Sequence, residues 1–298
     1  MTLKVKTTIE IPGATDSAFD HGAFDPKTRR LFIAHTARDS VDVIDHDRGK
    51  HIATLPDFKE AAGVVADNGQ VLVTNRGAAS LAWLDGETFE TRAVFDTAPR
   101  PNGAALVESL HLAAVACIGD DSHAPELQTL DLRSRQRWSL KLPGRPRWCV
   151  TDAAGDRLFL AIRAPSMVLV ARLPNLTDVQ NWPLPSGGAH GMDIDHRRSR
   201  LYVACDDGAL VELETDSGTV MNQWPLAGVP DATFFNPASS LVHVAIGNPG
   251  LVQTVNPQTS ARSDITTAHG AHTTALAQPD TLYVFSSLHR GALVLNGA

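Results

Sequence analysis

The sequence has little cysteine and no long apolar segment, and each shortage excludes a class of protein. Its 298 residues include three cysteines, Cys117, Cys149 and Cys205, which are too few and too far apart for a disulfide framework. No apolar run reaches the roughly 18 residues of a membrane-spanning helix, so no membrane partner is expected. The start of the chain, MTLKVKTTIEIPGATDS, lacks the apolar run of a signal peptide. Together these features indicate a soluble, cytoplasmic protein.

Basic residues are in deficit, because 26 lysines and arginines accompany 33 acidic residues and leave a net charge of −7. Proteins that bind nucleic acid usually present a basic face, so nucleic acid is not expected as a partner. A sustained apolar period of 3.6 residues is also missing, and essentially no helix is predicted. The sequence does not indicate an oligomeric state.

What the chain does contain is a repeat. The segment LFIAHTARDSVDVIDHDRGKHIATL (31–55) returns in rough form as VLVTNRGAASLAWLDGETFETRAVF (71–95). Similar apolar runs continue to the end of the chain, separated by the Gly, Asp, Asn and Pro residues that turns favour. One residue opens the first strand of each unit, at spacings of 41, 40, 45, 43, 41 and 41 residues. These seven residues are His21, Ala62, Asn102, Arg147, His190, Asp231 and His272.

Seven units with a period of 40–45 residues predict an all-β protein, a seven-bladed β-propeller with four-stranded blades. The last unit ends at GALVLNGA with only three strands, whereas KVKTTIEIPG at the start has the character of a fourth strand. We therefore expect the N-terminal strand to complete the last blade and close the ring, so that residues 1–298 form one propeller domain. A β-helix or a β-sandwich is the alternative, and neither explains the missing strand.

At these strands, and most closely at VLVTNRGAASLAWLDGETFETRAVF, the chain resembles bacterial propellers of the YVTN/YncE type. Their repeats of about 40 residues are named for a Tyr-Val-Thr-Asn strand. The resemblance covers essentially the whole chain and implies the propeller fold. Members and near relatives include lactonase-type hydrolases, lyases and non-enzymatic binders, so the resemblance leaves the chemistry open.

One rim of the propeller is expected to carry the function. The innermost strand of a blade lines the central channel, and its start shares a rim with the loop between the second and third strands. Rim loops on a rigid scaffold are common sites of binding residues. The loops expected beside the seven opening residues are 35–39, 75–77, 117–123, Arg163, 205–207, Asn248 and 289–290.

Four consecutive blades place imidazole or carboxylate groups on the channel. They are His190, Asp231, His272 and, in the first blade, His21 or Asp20, of which Asp20 is in register with the others when the following strand is matched. Because these groups are standard ligands of transition metals, we predict a divalent metal such as Zn, Fe or Mn held by them. The alternatives are a metal-free polar pocket and a purely structural hydrogen-bond network.

Other residues near this ring are candidates for work on a small-molecule substrate. Arg147 is expected to position an anion, His35 to act as a general acid or base, and His269 to ligate or support the metal. The remaining substrate-binding candidates are Arg100, Asn102, Trp148, Asn75, Arg76 and His289.

No Gly-x-Ser-x-Gly, His-Glu-x-x-His, Cys-x-x-Cys or P-loop motif is present, so no better-known catalytic arrangement competes with the channel cluster. The sequence therefore favours a metal-dependent enzyme, a lactone or ester hydrolase or a lyase, that acts at one end of the channel. The alternative is a non-catalytic propeller that binds a ligand or a protein through its rim loops. DNA binding, proposed for some relatives of the YVTN/YncE type, is disfavoured by the acidic balance.

Overall fold

Short runs of β-branched and aliphatic residues, each ended by turn residues, form the strands of the protein. The computed structural model describes residues 2–15 and 17–298, in which 28 strands form seven antiparallel sheets of four strands each. The only helical elements in these two ranges are three 3₁₀ turns at Thr36–Arg38, Arg76–Ala78 and Glu108–Leu110. No helix within them is long and apolar enough to cross a membrane. The predicted seven-bladed β-propeller is confirmed.

The blades follow one another along the chain, and each runs from the channel outward. Blade 1 consists of β2 (Gly22–Asp25), β3 (Arg30–His35), β4 (Ser40–Asp45) and β5 (Lys50–Leu55). Blade 2 consists of β6 (Ala61–Asp67), β7 (Gln70–Asn75), β8 (Ser80–Asp85) and β9 (Thr91–Asp96). Blade 3 consists of β10 (Pro101–Val107), β11 (Leu112–Cys117), β12 (Glu126–Asp131) and β13 (Arg137–Lys141). Blade 4 consists of β14 (Pro146–Thr151), β15 (Arg157–Ile162), β16 (Met167–Arg172) and β17 (Thr177–Pro183).

The last three blades have the same plan, and the N-terminal strand of the chain forms the outer strand of the final blade. Blade 5 consists of β18 (Ala189–Asp195), β19 (Arg200–Cys205), β20 (Ala209–Glu214) and β21 (Val220–Pro225). Blade 6 consists of β22 (Pro230–Asn236), β23 (Leu241–Ile246), β24 (Leu251–Val255) and β25 (Arg262–Thr266). Blade 7 consists of β26 (Thr273–Ala277), β27 (Thr281–Ser286), β28 (Gly291–Asn296) and β1 (Lys4–Glu10).

The N-terminal strand closes the ring, as the strand count of the sequence predicts. β1 runs antiparallel to β28, from Lys4 opposite Asn296 to Glu10 opposite Gly291. At the channel, the inner strands β2 and β26 also lie side by side, so that blade 7 meets blade 1. Because sheet edges left open promote aggregation, this pairing protects the free edge of β28.

The hydrophobic core lies between the blades and leaves the channel available for polar groups. Seven clusters of buried apolar residues occur, one at each interface between neighbouring blades. The cluster between blades 7 and 1 contains Ile9 of β1 together with Ile33, Tyr283 and Phe285. The apolar faces of the strands therefore pack against the neighbouring blades.

Strand pairing decides which residue of blade 1 takes the opening position on the channel. Gly22 and Met192 each pair with the third-last residue of the second strand in their own blade, which makes these two positions equivalent. Two residues earlier in the chain, Asp20 therefore corresponds to His190. His21 therefore lies one position after the opening position. The alignment of the following strand in the sequence indicates the same register.

The inner strands approach one another closely just after this opening position. Blades 2, 3 and 5 have glycine there, at Gly63, Gly103 and Gly191, and an added Cβ would collide with the carbonyl oxygen of the next inner strand. Blade 1 has His21 at the equivalent position. An imidazole thus stands where three other blades have no side chain.

The closure can be tested with one buried and one exposed residue of β1. Ile9 is buried in the cluster between blades 7 and 1, so we expect Ile9→Ala to lower the free energy of unfolding by about 2–5 kcal/mol. Val5 is 58% exposed, and Val5→Ala should cost less than about 0.5 kcal/mol. Thermal and urea denaturation of both variants would measure the difference. Equal effects would contradict the burial of β1 in the closed ring.

Candidate functional site

A polar cavity of about 200 Å³ opens at one mouth of the channel. Its walls are formed by the first residues of the inner strands, by the residues just before them and by one rim loop. The residues that line the cavity are Asp20, His21, Arg76, Asn102, Arg145, Arg147, Trp148, His190, Asp231 and His272. The sequence offers eight candidates for the seven opening positions, and seven of them line this cavity while Ala62 does not. The seven are Asp20, His21, Asn102, Arg147, His190, Asp231 and His272.

Histidines and carboxylates alternate along the side of the cavity formed by blades 5 to 7. His272 Nδ1 lies 2.9 Å from Asp231 Oδ2, and Asp231 Oδ1 lies 3.4 Å from His190 Nε2. His190 Nδ1 lies 2.7 Å from Asp206 Oδ1, and Arg163 Nε donates to Asp206 Oδ2 at 2.7 Å. Five side chains thus form one connected network that holds His190 and His272 in fixed orientations.

This network changes the acidity of its members. Burial alone would raise the pKa of Asp231, but the hydrogen bond from His272 and the nearby imidazoles lower it. Burial also acts on Asp206, where hydrogen bonds from His190 and Arg163 outweigh it and lower the pKa to about 2. The hydrogen bond to Asp231 raises the pKa of His272 above its ordinary value of 6.5 despite partial burial. The carboxylate of Asp231 thus stabilises the protonated form of His272.

His21 shows the opposite shift. It lies against the indole of Trp148, with 4.2 Å between the ring centroids, and its Nε2 is 3.4 Å from Asp20 Oδ1. Burial lowers the pKa of His21, and the charges of Asp20 and Asp231 only partly offset this effect. One cavity therefore holds two histidines whose pKa values are shifted in opposite directions, an arrangement that suits acid–base catalysis.

The side of the cavity formed by blades 2 to 4 is basic. Among the described residues, the side chain of Arg145 has no ion-pair partner, and the buried Nε of Arg147 has no hydrogen-bond partner. Burial, together with the repulsion from Arg147, Arg163, Arg100 and Arg76, lowers the pKa of Arg145. The carboxylates of Asp231, Asp206 and Asp20 act on Arg147 from a distance, but among the described residues neither Arg145 nor Arg147 forms an ion pair. This cluster of guanidinium groups favours an anion in this part of the cavity.

Arg76 differs from Arg145 and Arg147 because its charge is already neutralised. Its Nη2 donates to Asp20 Oδ2 at 2.8 Å and to Asn102 Oδ1 at 2.5 Å. These contacts join blades 1, 2 and 3 across the mouth of the channel. Arg76 and Asn102 therefore shape the wall, while Arg145 and Arg147 remain available to a ligand.

The structure does not place His35 at the cavity, which corrects the expectation that it lies one loop away from the substrate. His35 ends β3 and has no exposed surface. Its Nδ1 lies 2.7 Å from Asp42 Oδ2, and its Nε2 lies 2.5 Å from the Ser17 hydroxyl. Because both ring nitrogens are used inside blade 1, the imidazole fixes the preceding loop to the blade, and this placement does not support a catalytic role.

Four more residues with predicted roles also lie outside the cavity. His269 is exposed on the rim, and Arg100 is exposed but contributes to the positive field of the mouth. Asn75 is buried, and its side-chain amide donates to Ser80 Oγ at 3.2 Å. His289 Nδ1 lies 3.1 Å from the hydroxyl of its neighbour Ser286. All four residues belong to strand ends or rim turns.

The structure adds three residues that the sequence alone did not assign to the site. Arg145 precedes β14 by one residue, and no repeat position marks it. Arg163 and Asp206 lie in the expected rim loops, but nothing in the sequence shows that they pair with each other and with His190. The only sequence signal for Arg163 and Asp206 was that they are charged residues in rim loops. Which of the charged rim residues contact the site follows only from the folded structure.

The predicted metal ligands share the cavity but are paired with one another. Among residues 2–15 and 17–298, no group of three or more His, Cys, Asp or Glu side chains could hold a metal ion. Both carboxylate oxygens of Asp231 face imidazole nitrogens, of His272 and of His190, rather than a common point. The donor atoms in this arrangement do not form a ready-made coordination site.

Comparison with known proteins reveals relatives in fold only. No family model and no curated protein matches the chain. Among solved structures, hydrazine synthase of Kuenenia stuttgartiensis superimposes with a TM-score of 0.82 at 14% identity, covering 97% of this chain and 99% of that chain. A streptogramin B lyase gives 0.81 at 10% identity over 99% and 97% of the two chains. Virginiamycin B lyase of Staphylococcus aureus gives 0.79 at 12% identity over 99% of each. These matches show the propeller fold, and membership of the YVTN/YncE type stays a prediction.

The link between His272 and Asp231 predicts a measurable titration. We expect the pKa of His272 to lie above 6.5 in the native protein and to fall in Asp231→Asn, because burial then acts without the partner carboxylate. Imidazole signals followed by NMR against pH would measure it, with Asp178→Asn on the exposed outer strand as the control. The pair also adds stability that is fully present below pH 6.5 and is lost as the pH rises through the raised pKa of His272. An unchanged His272 titration in Asp231→Asn would contradict the pairing.

Proposed function

We propose that the mouth of the channel binds a small organic anion and cleaves it by acid–base catalysis, in an elimination of the lyase type. One observation carries this proposal. A single cavity contains two guanidinium groups, of Arg145 and Arg147, that form no ion pair with the described residues. It also contains two histidines, His21 and His272, whose pKa values are shifted in opposite directions. Such a site can hold a negative charge and move a proton at each end of a substrate.

Arg145 and Arg147 would bind the anion. A guanidinium group matches a carboxylate with two parallel hydrogen bonds, and it keeps its charge at every physiological pH. A cavity of about 200 Å³ suits a small organic acid or the acidic end of a larger molecule. A carboxylate bound there would also relieve the repulsion among the clustered arginines.

The reaction would then need one base and one acid. Neutral His21 would take a proton from the carbon beside the carboxylate, and the electron pair left on that carbon would form a double bond as the bond to the leaving oxygen breaks. Protonated His272, held by Asp231, would give its proton to that oxygen. Arg147 would stabilise the negative charge that builds up on the carboxylate in the transition state.

Two of the similar solved structures are lyases, which supports this proposal. A streptogramin B lyase and virginiamycin B lyase, both lyases by name, share the propeller fold over nearly the whole chain. Hydrolysis of a lactone or ester would use the same groups, with water activated by His21 in place of the substrate carbon. The product separates the two reactions, since only elimination creates a carbon–carbon double bond.

A metal-assisted form of the reaction is the second candidate. The five predicted ligands, Asp20, His21, His190, Asp231 and His272, line one cavity, although they are paired with one another. If these pairs open, the same residues could accept a divalent transition metal, which would polarise a substrate carbonyl. The acid–base proposal needs no such rearrangement.

The test is an assay of small hydroxy acids, their lactones and their O-acyl esters, followed by ultraviolet absorbance and NMR of the products. For the active compound we expect a bell-shaped pH profile of kcat/KM. The rate should rise with pH through the lowered pKa of His21 and fall through the raised pKa of His272. His21→Gln should remove the acid limb and His272→Gln the alkaline limb, each with a loss of about 10²–10⁴-fold in kcat.

Arg92→Gln is the matched control for Arg147→Gln, because Arg92 pairs with Asp85 within the outer half of blade 2. Arg147→Gln should raise KM and lower kcat, while Arg92→Gln should leave both unchanged. Elemental analysis of untagged protein, and the same assay after chelation and after addition of Zn, Fe(II) or Mn, would reveal the metal-assisted form. Turnover of no compound, with anions still bound at Arg147, would establish the non-catalytic binder instead.

A further inference from the structure

A second cavity, of about 340 Å³, lies further along the channel. Its walls are mostly apolar side chains of the inner strands, and its lining includes the aromatic residues Phe24, Trp148 and Phe234. Asp193 on β18 is the one carboxylate of the lining of this lower chamber, which also includes the imidazoles of His21 and His196. An acidic side chain without an ion-pair partner is unusual in such a chamber, because an unpaired charge is costly to remove from water.

Asp193 is held in place by main-chain groups. The backbone N–H of Ile194 donates to Oδ1 and the backbone N–H of Phe235 donates to Oδ2, both at 2.8 Å. No Lys, Arg or His side chain of residues 2–15 and 17–298 lies within ion-pair distance of this carboxylate. Burial raises the pKa of Asp193 to about 7, and the two hydrogen bonds only partly offset this effect. A bound cation would remove the cost of the charge.

Aromatic rings supply the second half of a cation site. Trp148 and Phe234 are nearly perpendicular, at 87°, with 6.0 Å between their centroids. Phe234 is next to Phe235, whose N–H binds the Asp193 carboxylate, so this ring and the carboxylate belong to adjacent parts of the same wall. The faces of aromatic rings attract cations, and tryptophan does so most strongly.

The lower chamber is separated from the mouth of the channel by two rings. His21 and Trp148 line both cavities, and they come from blades 1 and 4, which face each other across the channel. Their centroids lie 4.2 Å apart, which leaves no room for a ligand between them. The two cavities also differ in charge, since the mouth presents Arg145 and Arg147 and the chamber presents Asp193.

We propose that the lower chamber binds a small organic ammonium ion, with its charged nitrogen beside the Asp193 carboxylate and against the aromatic faces of Trp148 and Phe234. The apolar walls would take the alkyl groups of the ion, which an inorganic cation lacks. This site is independent of the proposed reaction at the mouth. The propeller would then hold ligands of opposite charge at two levels of one channel.

The test uses choline as the probe and 3,3-dimethylbutan-1-ol, which has the same shape without the charge, as its neutral counterpart. Isothermal titration calorimetry would report binding. We expect choline to bind at least tenfold more tightly than the alcohol, and Asp193→Asn to lower this preference to the part that the aromatic rings supply. Phe234→Leu should weaken choline binding by about three- to thirtyfold, which corresponds to the usual strength of a cation–π contact.

Asp178→Asn, an exposed carboxylate on β17, is the control and should bind choline as the native protein does. Circular dichroism spectra and melting curves of all variants would show whether they fold. Equal affinity for choline and the alcohol would overturn the proposal, as would the absence of choline binding by the native protein. Native-like binding by both folded variants, Asp193→Asn and Phe234→Leu, would also overturn it.

Discussion

The antiparallel pairing of β1 with β28 is the contact on which the rest of the structure depends. It completes blade 7, brings β26 beside β2 and converts a row of seven sheets into a ring. Only in a closed ring do the first residues of all inner strands point at one axis. Residues that are far apart in the chain, such as His21 and His272, can therefore line a single cavity.

The mouth of the channel divides its charges between two sides. The arginines belong to blades 2 to 4, and the network of histidines and carboxylates belongs to blades 5 to 7, with Asp20 and His21 of blade 1 between them. A chain with a net charge of −7 thus presents a local basic surface at the one place where an anion can meet two histidines of opposite pKa shift. Local arrangement rather than net charge determines which ligand the site favours.

The repeat of about 41 residues was enough to predict the seven blades, the ring closure and most of the side chains at the mouth, because strand period and turn residues fix the backbone. Side-chain partners were much harder to predict. The sequence predicts His35 in a rim loop, but its side chain is buried and hydrogen-bonded to Asp42. Arg145 lines the mouth, although it has no marked position in the repeat. Such pairings depend on contacts within and between blades that no local pattern encodes, and the same is true of the bond between His190 and Asp206.

The central claim is that Arg145 and Arg147 form an anion site opposite His21 and His272. A crystal structure of the protein soaked with a small dicarboxylate such as malonate tests it most directly. The expected result is a carboxylate hydrogen-bonded to Arg145 or Arg147, with His272 still paired to Asp231. A mouth that stays free of the dicarboxylate at saturating concentration, or arginines that are paired with carboxylates of the protein itself, would contradict the claim.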